Sequence, residues 1–294
     1  MGACEALGSP GLSECLPPVV TPPPVPCGGL LVGIHLGMRN ANFPLFLDTL
    51  HKMYLRGRPC PLVLLLDPDN IAASQIRAVS PSTLIVSRVY PGGGSNLTMT
   101  AAQYFGQYVD GDVERRQIYY HQINNENNDA SPQAIQWWIE QAKWTMAHGN
   151  YRIVIPTWPT GNPDYNVYSQ PHIWELFRFC AQYGFPIALH EYYRNDQDWE
   201  LFRFADHCYP LLPPDVKAHM PLIMHTEWGQ QGLRDMPRTG LVSLLRTYQA
   251  RLAALPFRAI TATWTWGDTG DNPPPAENLT GDNYVTMGDV FLEI

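Results

Sequence analysis

Lysine is scarce in this chain, with three in 294 residues, at 52, 143 and 217. The formal net charge is -8 and the isoelectric point lies near 5.5, so no basic patch is available to meet a phosphate backbone. That excludes nucleic acid as the main partner. Apolar runs are short as well. None approaches the roughly 18 residues of a bilayer span, and the first residues lack the charged start and apolar block of a secretory leader. No membrane partner is expected. The six cysteines (Cys4, Cys15, Cys27, Cys60, Cys180 and Cys208) form no CxxC pair, and the histidines show no HxH or HExxH spacing. Zinc-site patterns are therefore missing, and no metal or other cofactor is expected. No strand-like run leads into GxGxxG, and "YPGGGSN" at 90–96 lacks the lysine of a phosphate loop.

Aromatic and apolar residues are what the chain has in quantity: nine Trp, fifteen Tyr and ten Phe in a sequence 45% hydrophobic and 16% charged. Such a composition builds a sizeable core. Residues 1–28 differ in kind. "LPPVVTPPPVPCGG" is an extended proline-rich arm ending in a Gly-Gly hinge, either a linker to an attached module or a strap packed on the body. Cys4, Cys15 and Cys27 lie within it, as free thiols or as partners in a disulfide that spacing alone does not define. Two N-x-[ST] triplets, at Asn96 and Asn278, carry little weight because the pattern arises by chance.

From residue 29 to 294 short β-rich runs alternate with helix-length amphipathic segments. The runs are 30–37, 62–67, 83–90, 116–123, 151–158, 186–193, 221–228 and 259–266. Helix punctuation separates them. Ser131-Pro132 opens one helix that stops at Gly149-Asn150, and another ends at Gly184 just before Pro186 opens the next run. Trp137, Trp138 and Trp144 fall on the first of these helices at core-like spacing. Eight continuous apolar strands, each followed by a helix, imply a parallel sheet covered on its outside, and eight is the number that closes into an α/β (β/α)8 barrel. A doubly wound open sheet is the competing architecture.

Such a barrel carries its site at the C-terminal ends of the strands. Those ends supply His35, Asp67, Arg88, Asn125 with Glu126, Trp158, His190 with Glu191 and Tyr192, Glu227 with Trp228, and Trp264 with Trp266. Acids, amides and aromatic rings dominate, which suits a sugar: rings stack on pyranose C–H faces, amides and histidine bond hydroxyls, and two carboxylates can cleave a glycosidic bond.

Asn125-Glu126 closing the fourth strand, Thr226-Glu227-Trp228-Gly229 closing the seventh, His190-Glu191-Tyr192 on the sixth and a tryptophan on the eighth resemble the clan A retaining glycoside hydrolases. The resemblance implies a retaining hydrolase acting on a β-linked polysaccharide or oligosaccharide, without a cofactor. It makes Glu126 the general acid/base, Asn125 the amide on the substrate 2-hydroxyl and Glu227 the nucleophile. Tyr192 would orient that nucleophile, and Trp264 or Trp266 would form the platform. His35, Arg88, Trp158, His190, Glu191 and Trp228 complete the expected substrate-binding set. The arginine many members carry near the end of the second strand is missing, since Asp67-Pro68 stands there, and Arg88 is a candidate replacement. The amides of "HQINNENNDAS" are expected to surround Glu126 with neutral dipoles, so that it keeps its proton. Glu191 could instead take one of the two acid roles. Extracellular action is the favoured location.

Three plainer readings stand beside this one. Glu126 could be a loop or capping acid, and Glu227 a barrel-mouth carboxylate paired with Arg234. The whole could be a carbohydrate-binding or structural barrel module of a larger secreted or phage assembly. His35, His121, His190 and His225 all fall on strands, which leaves a metal-dependent hydrolase as a third class.

Overall fold

The structure is a computed structural model that describes residues 29–36, 43–66, 72–89, 99–112, 115–148, 151–193, 200–230, 236–266 and 284–294. Outside these lie the proline-rich arm with its three cysteines, Asp67, the 90–96 glycine run, both glycosylation triplets, the Gly149-Asn150 helix stop and Arg234. The side chains of Trp264 and Trp266 also lie outside the described residues.

Nine parallel strands form one sheet in the order β5-β4-β3-β2-β1-β9-β8-β7-β6. These are β1 (Val32–Leu36), β2 (Leu62–Leu66), β3 (Leu84–Arg88), β4 (Tyr120–Gln122), β5 (Arg152–Ile153), β6 (Thr157–Trp158), β7 (Ile187–Tyr193), β8 (Ile223–Gln230) and β9 (Ala259–Trp266). Eight runs become nine strands because the fifth, 151–158, is interrupted at Pro156, which has no N–H for the ladder. The two pieces still act as one stave. On one side Arg152 and Val154 donate to Tyr119 and His121; on the other Ile155 donates to Pro186 and Ala188 donates to Pro156. The stave thus joins β4 to β7, and the sheet curls into the barrel the alternation predicts. The fourth strand is shorter than its apolar run, since Arg115–Gln117 forms a 3-10 turn and pairing starts only at Tyr120.

Helices cover the outside: α1 (Phe43–Leu55), α2 (Ala72–Val79), α3 (Ala101–Tyr104), α4 (Pro132–His148), α5 (Pro171–Tyr183), α6 (Pro214–Ala218), α7 (Arg238–Ala253) and α8 (Tyr284–Glu293). Their ends follow local chemistry. The Ser131 hydroxyl accepts from the Ala134 N–H at 3.2 Å to cap α4, and Gly184 takes φ +73° to close α5 with its N–H on Cys180 O. Trp138 is fully buried on α4, while Trp137 and Trp144 are half-buried packing residues.

Two separate apolar clusters result, as strand alternation requires. One fills the barrel with inward residues such as Leu64, Val86, Val154, Met224 and Ile260; the larger one lies between strands and helices. On β1 the inward row is Leu31, Gly33 and His35. A Cβ on Gly33 would sit 2.2 Å from Leu62 O and 2.7 Å from Thr261 O, so only glycine fits where β1 is squeezed between its neighbours.

Candidate active site

The inward rows end in polar groups at the C-terminal mouth. On β7 alternation turns His190 and Tyr192 inward and Glu191 outward. On β8 the pairing slips: Leu189 faces His225, but the next pair is His190 with Glu227, so one extra residue is accommodated around Thr226. The matching shift against β9, between His225 and Trp228, marks the same bulge. Met224 and Glu227, three residues apart, therefore both point into the barrel, and Trp228 points out.

The structure brings Arg88, Asn125, Glu126, His190, Tyr192 and Glu227 together. The Tyr192 hydroxyl donates to Glu227 Oε2 at 2.7 Å, and Arg88 Nη1 forms a buried ion pair with Glu227 Oε1. The same Nη1 donates to Asn125 Oδ1 at 2.8 Å, which also accepts from Gln122 Nε2 at 3.1 Å. His190 Nδ1 lies 3.1 Å from Glu126 Oε1 and 3.4 Å from Glu227 Oε2. His190 Nε2 is buried without a hydrogen-bond partner among the described residues, so Nδ1 is the ring nitrogen that faces the two acids as donor. One oxygen of each carboxylate and this nitrogen all lie within 4.8 Å of one another.

The two acids differ in their surroundings. Glu227 is buried. Burial is the largest influence and works to raise its carboxyl, yet the Arg88 guanidinium, joined by His190 beside it, holds it below the ordinary value, as an anion. Glu126 keeps 45% of its side chain exposed. It stands on a φ of +48°, an unfavourable conformation for a residue with a Cβ, imposed where β4 gives way to the next loop. That loop is tied to the fifth stave by Asn127 N–H donating to Thr157 O and by the Thr157 hydroxyl donating to Asn124 O. The hydrogen bond from His190 holds Glu126 below the ordinary carboxyl value, despite opposing burial.

The expectation that neutral amides surround Glu126 is corrected here. Asn124 Nδ2 donates to Met99 O, Asn127 Oδ1 accepts from Asp129 N–H, and Gln122 and Asn125 bond each other. These amides build the loop and anchor Arg88, and a histidine is what faces the acid. His35 is fully buried on the same face. Burial first, then the neighbouring Arg88 charge, hold it well below its usual range, so it is neutral.

Glu191 does not join the cluster. It lies behind β7 and accepts from Phe202 N–H at 2.9 Å and Phe204 N–H at 2.7 Å. Burial pushes its carboxyl up to about 7. His225 Nε2 is 3.5 Å away, and burial lowers that imidazole to about 3. Trp228 is also turned away, fully buried edge-on against Tyr248 of α7 with centroids 4.1 Å apart. Trp158 is fully buried in the outer core against Tyr168. Adjacent strand residues face opposite sides, so Glu191 with His190 and Trp228 with Glu227 could not all line one cleft. His121, the other strand histidine, packs outward on Phe105 and Tyr151. Gln122, one of the amides expected around Glu126, instead props Asn125 from three residues earlier on an inward row.

Among the described residues, Glu126, His190 and Glu227 are the side chains placed to offer a metal ion three ligands. Arg88 and Tyr192 already occupy the two Glu227 oxygens, and a guanidinium beside a divalent ion is electrostatically unfavourable. The donor set fits an acid pair better than a metal centre.

No protein-family model matches the chain, and no curated protein matches it. Solved structures do. An endo-1,4-beta-D-mannanase from Thermotoga petrophila RKU-1 aligns over 90% of this chain and 99% of its own, with a TM-score of 0.51 and 9% identity. A beta-glucuronidase from Faecalibacterium prausnitzii aligns over 89% of this chain, at TM-score 0.54 and 13% identity, and this chain spans 48% of its length. Plant beta-glucan endohydrolases give coverage of 83% and 94%, TM-score 0.50 and 13% identity. At such identities the likeness is one of fold.

Proposed function

We propose that this barrel is a retaining glycoside hydrolase acting on a β-linked polysaccharide, with Glu227 as nucleophile and Glu126 as acid/base. One observation carries the reading: carboxylates from the fourth and seventh staves approach within 4.8 Å around His190. Retaining enzymes hold their carboxyls about 5–5.5 Å apart, whereas inverting ones need about 6.5–9.5 Å to admit a water between acid and base. The three similar structures are named for mannan, glucuronide and glucan substrates, which supports a glycan in the cleft.

The roles follow from the surroundings. Glu227, anionic beside Arg88 and aimed by the Tyr192 hydroxyl, attacks the anomeric carbon. Glu126 protonates the leaving oxygen, then takes a proton from the water that releases the sugar. Asn125 has its oxygen filled by Arg88 and Gln122, so it presents Nδ2 as a donor to the 2-hydroxyl. His190 keeps Glu126 ionised in the free protein. A glycan seated over the half-exposed Glu126 removes water from it and raises its pKa, supplying the protonated acid when substrate is bound. The 1–28 arm would tether this catalytic unit, residues 29–294, to a further module.

Because Glu126 is held below the ordinary carboxyl value, a non-catalytic glycan-binding barrel is the second reading. A glycan screen with Glu126→Gln and Glu227→Gln separates the two. An enzyme releases reducing ends, loses turnover in both variants and still binds glycan; a binding module never releases them and binds equally in all three proteins.

A further inference from the structure

A concavity lies between the segments that follow β6 and β7. It has a volume of about 470 Å³ and is lined by Gly161, Asp164, Tyr165, Asn166 and Arg203. Small-ligand pockets span about 300–1,000 Å³. Its walls come from the segment after β6 and the segment after β7, both at the C-terminal mouth, on the arc between the Glu126 and Glu227 staves.

The pocket is held by specific contacts. Arg203 is buried, donates through Nη2 to Pro163 O at 2.7 Å, and lies with its guanidinium carbon 4.4 Å from the Tyr165 ring centroid. The residues on either side of Arg203 are the two whose N–H groups Glu191 accepts. Phe202 takes φ +64°, a conformation that persists only when its surroundings over-determine it. Glu191, which the cleft does not use, is thus a positioning residue for Arg203 and so for this wall.

We propose that this pocket is a distal subsite for one neutral sugar residue of the glycan, reached by a chain that leaves the carboxylate pair across the β6–β7 rim; the inference rests on the hydrolase reading above. The lining favours a neutral polyol. Asp164 offers acceptors, Asn166 offers both donor and acceptor, and Tyr165, which keeps 40% exposure beside Arg203 and the His207 ring, offers its remaining ring surface to C–H groups. Asp164 and Arg203 cancel in formal charge. One face of the guanidinium is covered by Tyr165, so a carboxylate-bearing sugar would meet Asp164 without gaining an open cation.

The test is titration calorimetry of β-linked manno- and gluco-oligosaccharides of increasing length on the Glu227→Gln protein, which removes turnover. Affinity should step up once the chain is long enough to reach the pocket. Tyr165→Ala in that background should cut the step by about tenfold, equivalent to about 1.4 kcal/mol. Asn166→Ala should cut it less, and Tyr165→Phe should restore most of it. Both positions are exposed, so folding is preserved and is checked by far-UV circular dichroism. A full step in both alanine variants, no step at any length, or tighter binding of uronate-containing oligosaccharides overturns the proposal. A step that depends on Tyr165, in a protein whose unmutated form never releases reducing ends, leaves the subsite standing and removes the hydrolase reading alone.

Discussion

Replacing Arg88 by methionine removes the cation that keeps Glu227 ionised while retaining an apolar side chain of similar length. Both side chains are almost wholly buried, at 3% and 7% exposure. Glu227 is then a buried carboxylate with the Tyr192 hydroxyl and His190 for company, and Asn125 loses a donor. Removing one partner of a buried pair costs about 3–5 kcal/mol, because the other charge is left uncompensated. At about 2 °C per kcal/mol for a chain of this size, Tm at neutral pH should fall by about 6–10 °C. The loss should depend on pH with a definite sign. In the unmutated protein the folded pKa of Glu227 lies below its ordinary 4.5, so its stabilisation is present above 4.5 and fades as pH falls through the folded value. In the variant the largest charge opposing burial is gone, with His190 still favouring the anion, so burial raises that pKa; the penalty grows as pH rises above 4.5 and vanishes once the carboxyl is protonated. Differential scanning calorimetry at pH 7 and pH 4 checks this. A small Tm change at pH 7, or an equal loss at both pH values, would refute the claim that Arg88 holds Glu227 as an anion.

Further outcomes follow from the same geometry. Glu126→Gln should lower kcat/KM by about 10²–10⁴ on glycans, and by less on aryl glycosides whose leaving group needs no proton, whereas Glu227→Gln should lose both; comparing the two substrate types reads the difference. The alkaline limb of kcat/KM, which reports the free enzyme, should be acidic because His190 holds Glu126 below the usual value, and the kcat limb should lie at higher pH; coincident limbs would argue against substrate raising that acid. Gly33→Ala should abolish soluble expression or depress Tm strongly, since its Cβ meets two backbone carbonyls that cannot turn aside. Glu191→Gln should destabilise the protein by about 1–3 kcal/mol through an unmet N–H at Phe202 or Phe204, measured by urea unfolding. Glu191 has a raised folded pKa near 7, so its own contribution to stability falls between about pH 4.5 and 7. The variant should lack that slope.

The barrel was legible in the sequence because eight apolar runs alternate with capped helices, a pattern few architectures share. The run 151–158 is read from sequence as one continuous strand, and Pro156 splits it into two ladders without changing the order. Around the site, legibility stopped where side-chain direction depends on register. Alternation alone separates His190 and Tyr192 from Glu191. The bulge near Thr226, which turns Glu227 inward and Trp228 outward, depends on how β8 pairs with β7 and β9, and no local signal announces it. The surroundings of Glu126 were misread for a related reason: amides next to it in sequence point into the loop, and the group that faces it, His190, is 64 positions away. Long-range partners such as Arg88 with Glu227 and Glu191 with Phe204 emerge only once the staves are closed.

The double-displacement assignment is tested most directly by trapping the covalent intermediate with a fluorinated glycoside that forms it quickly and releases it slowly. Mass spectrometry of the digested protein should place one sugar on the peptide containing Glu227, and on no other. A label on Glu126 or Glu191, or full turnover with no adduct and inverted product, would contradict the account.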